Sequence, residues 1–389
     1  MNILALAFEF PRDPCDAIVS GEVKNAYNFI CELARQGHRV TVVSITERPD
    51  VPMRTLCGLT VHTVSDRRNR GVVRYVDRAI RIAALVNRLV ESGELYDVVH
   101  SHVSYGTCGV LWSRARRVPI VTTPHGTNIP EIRTELTGSF RDRLRRVNAE
   151  MQRWLDCYAF AGSRRIVSVS RFQLAEMRDL YGIDADRIDV FYNGADRRRY
   201  MSAPHPTRAG SASPHVLFVG RAVRKKGLDS VEALAVKNPH WRFTLVVGTP
   251  MFNTLGRRLL DALAALPNCR LLEAVSEADM PELYRAADVT LVPSRGYESL
   301  PTVILESLAC GTPAASVDAW GNPEVIGDPA LLFREDDLAG MEAAIRYAVE
   351  YREAALDACT PKSLEYEVRE LASTFVRLTS HRSGALHAA

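Results

Sequence analysis

Residues 21–45 read GEVKNAYNFICELARQGHRVTVVSI and follow an apolar run, NILALAF, at 2–8. Val23, Tyr27, Ile30 and Leu33 recur at helical spacing, Gly37 supplies a stop, and HRVTVVSI reads as a buried strand. A helix between two strands that lack polar alternation is the repeating unit of a parallel sheet covered on both faces. The rhythm continues with a helix over VVRYVDRAIRIAALVNRLVESG and strands at YDVVHSH, PIVTTPH and RRIVSVS. A long helix is predicted over 135–160, with Leu136, Phe140, Leu144, Val147, Met151, Leu155 and Tyr158 on one face, and Ser170 is placed to cap the next helix.

Residues 200–214, YMSAPHPTRAGSASP, have the composition of an exposed hinge. The alternation then restarts: strand VLFVG, a helix around 227–236, strand FTLVVG, a helix around 253–265, strand CRLLEAV, the PELYRAA helix and strand VTLVPS. The expectation is an α/β chain of two Rossmann-like, doubly wound domains, 1–203 and 214–363, facing each other across a cleft. A C-terminal helix at about 364–389 is expected to pack back on the first. In such sheets ligands bind beyond the carboxyl ends of the strands, so chemistry is sought in the residues just after each strand.

Composition narrows the class. The 389 residues are 47% hydrophobic and 24% charged, ordinary for a soluble globular protein and long enough for two cores. No run of about 18 apolar residues occurs, and MNILALAFEF lacks a basic region before its apolar segment and a small-residue cleavage site after it, so a cytoplasmic protein is expected. The net charge is +3; residues 1–205 carry 30 Lys+Arg against 23 Asp+Glu and are the basic half. The basic residues are dispersed among acids without an aromatic-interleaved stripe, so nucleic acid is not an expected partner. The eight cysteines form no CxxC pair, which argues for free thiols.

Several strand ends carry candidate groups. After VLFVG come Arg221 and Lys226, suited to a diphosphate as a fork and a point charge, with no GxGxxG or GxxxxGK[ST] beside them. After VTLVPS comes GYESLPTVILESLACGTP, residues 296–313, with Glu298 in the loop and Glu306 in the second turn of a helix whose first position suits Pro301. A carboxylate on a nearly buried helix needs hydrogen-bond donors, which ribose hydroxyls would supply. His125 follows PIVTT. His100 and His102 share a strand face but lack a recognisable third ligand, so no metal is expected. The DxD at Asp184–Asp186 lies in a helix-to-strand connector, where aspartates serve as turn residues.

Together these residues resemble the retaining glycosyltransferases of family 4, with the GT-B fold. The resemblance runs through SGE at Gly21, PHG at His125, VSVS at Ser170, YNGAD ending at Asp196, VGRAVRKKG, and the Glu-x7-Glu signature with the Gly-Thr-Pro that follows. It implies that Glu298 contacts the donor sugar, that Glu306 holds the ribose, and that Arg221 and Lys226 neutralise the donor diphosphate. It implies further that Ser299, Leu300, Pro301 and Thr302 line the donor, that Gly21 belongs to a loop over the phosphates, that His125 lies beside the reacting carbon, and that Asn193 is on the acceptor side. No cofactor or metal is implied, because fixed cations and a helix end meet the leaving group.

The expected reaction is transfer of a hexose from an NDP-sugar, UDP favoured, to a hydroxyl of a small polar acceptor, with antibiotic or other secondary-metabolite biosynthesis as a setting. Within the class the alternative is a lipid or polysaccharide acceptor at a membrane surface, because helix 135–160 carries Arg141, Arg143, Arg145, Arg146 and Arg153. From other classes, an NDP-sugar epimerase would not need Glu-x7-Glu, and a non-catalytic nucleotide-sugar sensor would not hydrolyse donor. The chain departs from the common pattern at Ser299-Leu300-Pro301, at Ser20-Gly21-Glu22 and at Ala274, which leaves the sugar and the choice of uridine or guanosine open.

Overall fold

The computed structural model describes residues 1–11, 20–46, 53–56, 58–66, 70–126, 140–201, 213–248, 254–273, 275–360 and 362–386. The chain divides into two compact units, the first made of Met1–Pro14, Glu22–Tyr192 and Tyr366–Ala389, the second of Asn193–Glu365 with Cys15–Gly21.

The first unit contains β1 (Asn2–Phe8), α1 (Gly21–Arg35), β2 (Arg39–Thr46), β3 (Met53–Leu56), β4 (Leu59–Ser65), α2 (Gly71–Glu91) and β5 (Val98–Ser101). It continues with α3 (Ser104–Leu111), β6 (Ile120–Thr122), α4 (Phe140–Gly162), β7 (Arg165–Ser168), α5 (Arg171–Tyr181) and β8 (Ile188–Val190). Its sheet has the order β3-β4-β2-β1-β5-β6-β7-β8, parallel except for the antiparallel β3–β4 pair at the edge. The β1 register, Asn2 to Arg39 through Phe8 to Ile45, is that of the opening strand–helix–strand unit. Ile3, Leu4, Ala5 and Leu6 are fully buried, as a strand covered on both faces requires. Helix α1 ends where Gly37, at φ +87°, lets the amides of Gly37 and His38 reach back to Ala34 and Leu33. Ser170 caps α5 by accepting from the Gln173 amide.

The second unit contains α6 (Arg197–Tyr200), β9 (His215–Arg221), α7 (Leu228–Lys237), β10 (Arg242–Gly248), α8 (Thr254–Ala264), β11 (Cys269–Glu273), α9 (Met280–Ala286) and β12 (Val289–Val292). After these come α10 (Thr302–Ala309), β13 (Ala314–Val317), β14 (Leu332–Phe333), α11 (Leu338–Glu350) and α12 (Arg352–Asp357). Its sheet, β11-β10-β9-β12-β13-β14, is parallel throughout. The order runs outward both ways from the β9/β12 pair, so the carboxyl ends of these two strands form the switch point of the unit.

Two expectations change. The division falls at Tyr192/Asn193 instead of after residue 203, because the segment 193–200 is bonded to the second unit: Asn193 Nδ2 donates to the Leu300 carbonyl at 3.1 Å, and the rings of Tyr200 and Tyr284 meet edge to face at 6.2 Å. Gly194 permits this crossing, since a Cβ there would lie 2.3 Å from the Leu364 amide nitrogen. The hinge centre at 202–212 is outside the described residues. Helix α13 (Leu364–Leu386) leaves the second unit at once: Glu367 accepts from the Tyr192 amide at 3.1 Å, and Phe375 packs edge-on against His100. Helix α4 is described from Phe140, and its predicted apolar face divides. Leu155 is buried, while Phe140, Leu144, Val147, Met151 and Tyr158 face solvent, because the helix packs through Ala149, Leu155, Ala159 and Phe160.

Among the described residues no helix is long and apolar enough to cross a membrane. Cys31, Cys108, Cys157, Cys269, Cys310 and Cys359 are free thiols, and Cys15 and Cys57 lie outside the described residues. Asp184 precedes, and Asp186 lies within, a single 3-10 turn leading into β8.

Candidate active site

The carboxyl ends of β9 and β12 bring the second unit's candidates together. Arg221 is the last residue of β9, and its guanidinium has no hydrogen-bond or ion-pair partner among the described residues. The chain then makes a 3-10 turn, Arg224–Lys226, and Gly227 turns it into α7 at φ +69°. That glycine is obligatory, because a Cβ would sit 1.9 Å from the Pro293 carbonyl oxygen at the end of β12. The close crossing places Lys226 beside the β12 loop, where its ammonium pairs with Glu298 Oε1. Ser294 donates to the same oxygen at 3.2 Å. Glu298 thus enters the site already held by a lysine and a hydroxyl.

Pro301 is the residue before the helix, at φ −66° and ψ 123°, and α10 begins at Thr302. The expectation that Pro301 occupies the first helical position is therefore off by one, since its extended ψ lies outside the α region. Ser299 and Leu300 are buried; Ser299 Oγ donates to Tyr297 Oη at 2.9 Å, and the Leu300 carbonyl is held by Asn193. Asn193 is thereby a brace under the 299–301 loop within the second unit, and its Oδ1 is buried without a partner among the described residues. Glu306 is 3% exposed, and its Oε2 accepts from the Tyr284 hydroxyl at 2.8 Å. A protein donor therefore supports this carboxylate before any ribose arrives. Burial and the adjacent carboxylate push the Tyr284 hydroxyl well above its ordinary pKa, so it stays a donor.

In the first unit the histidines form a row. His125 Nε2 lies 2.8 Å from His102 Nδ1, with the rings parallel to 2° and their centroids 5.1 Å apart, an edge-to-edge hydrogen bond. The His100 ring is 4.1 Å from that of His102, and its Nε2 is 2.9 Å from Thr123 Oγ1. Burial lowers all three pKa values: His100 to about 3, His125 to about 4, and His102 well below its ordinary value, with its imidazole neighbours adding repulsion. The row is neutral at physiological pH. Among the described residues no group of three His, Cys, Asp or Glu is arranged to hold a metal ion. The loop before His125 is pinned by Gln173, which donates to the Pro124 carbonyl at 2.7 Å and accepts from the Val169 amide. Gly21 opens α1, and a Cβ there would meet nothing within 4 Å. Ala274 is outside the described residues.

Sequence reasoning missed His102, Gln173, Ser294 and Tyr284 as supports. The alternate spacing of His100 and His102 was the available signal for the first; the other three come from segments distant in sequence from the groups they hold.

The family model for Glycosyltransferase Family 4 matches residues 19–199, and the model for Glycosyl transferases group 1 matches residues 213–350. The chain belongs to the family 4 glycosyltransferases. Alpha-maltose-1-phosphate synthase of Mycolicibacterium smegmatis is 29% identical over 327 residues, covering 76% of this chain and 82% of that enzyme. D-inositol 3-phosphate glycosyltransferase of Streptosporangium roseum is 33% identical over 258 residues, 60% of this chain and 56% of its own length. Among solved structures, sucrose-phosphate synthase from Thermosynechococcus elongatus superposes with a TM-score of 0.74 at 17% identity, covering 100% of both chains. The catalytic domain of starch synthase IV from Arabidopsis thaliana gives 0.70 at 15%, covering 97% and 99%. These likenesses show the GT-B fold, and the family match makes the chain a glycosyltransferase.

Proposed function

We propose that this glycosyltransferase moves a hexose from a nucleoside-diphosphate sugar, with UDP the expected nucleotide, to a hydroxyl of a small polar acceptor with retention of anomeric configuration. The observation that carries the donor assignment is Arg221, an unpartnered guanidinium at the carboxyl end of β9, on the same strand-to-helix connection as Lys226. A diphosphate meets the arginine as a fork and the lysine as a point charge. Glu298 takes the sugar hydroxyls and Glu306, steadied by Tyr284, takes the ribose. Thr302 and the start of α10 supply a positive helix end. The family resemblance gives His125 a place beside the reacting carbon and Gly21 a place near the phosphates.

Neither Glu298 nor Glu306 suits the role of proton acceptor, since the first is bound to an ammonium and the second to a tyrosine. The family resemblance implies that the leaving phosphate receives the acceptor's proton as the new glycosidic bond forms. Support for a small acceptor comes from the relatives, whose names describe D-inositol 3-phosphate and maltose 1-phosphate. A role in antibiotic or other secondary-metabolite biosynthesis belongs to the same reading.

Thermal stabilisation by UDP-, GDP-, ADP- and dTDP-sugars tests it. A ligand at 100 times its dissociation constant adds about 2.7 kcal/mol. Stabilisation by a UDP-sugar, lost in Lys226→Ala, is expected; no shift with any donor refutes the donor assignment. Product NMR showing inversion refutes retention.

A further inference from the structure

Helix α4 turns a second apolar face outward. Phe140, Leu144, Val147, Met151, Trp154 and Tyr158 follow one another at steps of 4, 3, 4, 3 and 4, and all are between 40% and 75% exposed. Trp112 extends the stripe beside Tyr158, with ring centroids 6.4 Å apart. A stripe this long is more than scattered surface hydrophobes. Its spacing is the seam of a coiled coil, narrower than the broad face by which a helix packs on a core.

We propose that α4 pairs antiparallel with α4 of a second copy of this chain. The seam matches its own reverse. In an antiparallel two-fold pair, Phe140 meets Tyr158 of the second copy, Leu144 meets Trp154, and Val147 meets Met151, so every layer is filled when the helix is turned end to end. The rim obeys the same symmetry. Arg143 and Glu150 both precede a seam residue, and the pairing that fills the layers sets Arg143 of one copy beside Glu150 of the other, twice. Glu150, half-buried, also binds Arg153 at 2.9 Å on its own helix. The three aromatic rings alone expose on the order of 400 Å². That is half of the roughly 800 Å² per partner that a stable interface buries, and Leu144, Val147, Met151 and Trp112 extend it. The end-to-end match of the seam favours a second copy over a lipid surface, which sets no such repeat.

Sedimentation velocity of the full chain from nanomolar to tens of micromolar tests this. A species of twice the chain mass is expected. It should be lost in Val147→Glu and in Arg143→Glu, and recovered when Arg143→Glu is combined with Glu150→Arg. Circular dichroism melting and nucleotide-sugar binding should stay unchanged in each variant, since these side chains are exposed or half-buried and distant in sequence from the donor groups. A monomer at every concentration overturns the proposal, as does a dimer that survives Val147→Glu. Monomeric protein that co-floats with vesicles containing 30% phosphatidylglycerol, and loses this in Val147→Glu, overturns it in favour of a lipid surface.

Discussion

His102 Nδ1 lies 2.8 Å from His125 Nε2, and the two rings share a plane. Two neutral imidazoles bond only if one brings the proton. His102 Nε2 is buried without a partner among the described residues. Whichever ring brings the proton, the shared bond holds each imidazole in one tautomer and one orientation. His102→Phe should keep the ring and remove the bond. A bond worth about 1 kcal/mol corresponds to roughly a five-fold loss of kcat, with donor KM nearly unchanged. Histidine ¹⁵N spectra should show His125 losing its single tautomer; an unchanged spectrum and kcat would dismiss His102 as a positioning residue.

The same row sets an acid limit. The folded values of His100, near 3, and His125, near 4, together with the depressed His102, lie below the unfolded value near 6.5. Below pH 6.5 the unfolded chain therefore binds more protons, and the stability present above that pH is lost as pH falls toward about 4. Asp156 works the other way: burial raises it to about 6, so its contribution is full below about 4 and lost as pH rises through 6. Three groups outweigh one, so stability falls on balance as pH drops from about 6 to 4.5. Urea midpoints across that range should fall; a flat profile contradicts the buried neutral row.

Gly227→Ala should cost about 3 kcal/mol or prevent folding, because a left-handed φ and a backbone oxygen 1.9 Å away leave no relaxed position for the methyl. Gly21→Ala, with nothing within 4 Å, should leave the melting temperature within about 2 °C and weaken only donor binding. Equal melting temperatures for both variants would show the Gly227 crossing to be less constrained than its geometry.

Tyr284→Phe strips a buried carboxylate of a donor. A loss of about 1–3 kcal/mol is expected, with weaker nucleotide-sugar binding as Glu306 loses its orientation. Calorimetric titration with a UDP-sugar checks the second part, and unchanged affinity would remove Glu306 from the donor site.

Arg221→Ala should separate binding from stability. With no partner to lose among the described residues, the melting free energy should move by less than about 0.5 kcal/mol, whereas donor affinity should fall at least ten-fold. A destabilised protein with normal affinity would make Arg221 structural.

The doubly wound architecture was legible because parallel strands buried on both faces leave no polar alternation, and NILALAF and VTLV carry that mark. The Glu-x7-Glu residues were legible as a local motif. Their supports were not, because a tyrosine 22 positions before Glu306 and a lysine 72 before Glu298 meet them only after the strands pair. The outward direction of the α4 face was not legible for a related reason. Spacing shows that apolar residues share a side of a helix, but not whether the core lies on that side, and here Ala149 and Ala159 allow the opposite side to pack closely.

The return of α13 to the first unit makes that unit a host and Asn193–Glu365 a guest inserted into it. The body of the guest, Asn193–Glu365, is one stretch of chain and open to expression as a single piece. The host is not: a fragment stopped at residue 203 would strip Phe375 from the flank of His100 and put water against an imidazole that the intact chain keeps neutral.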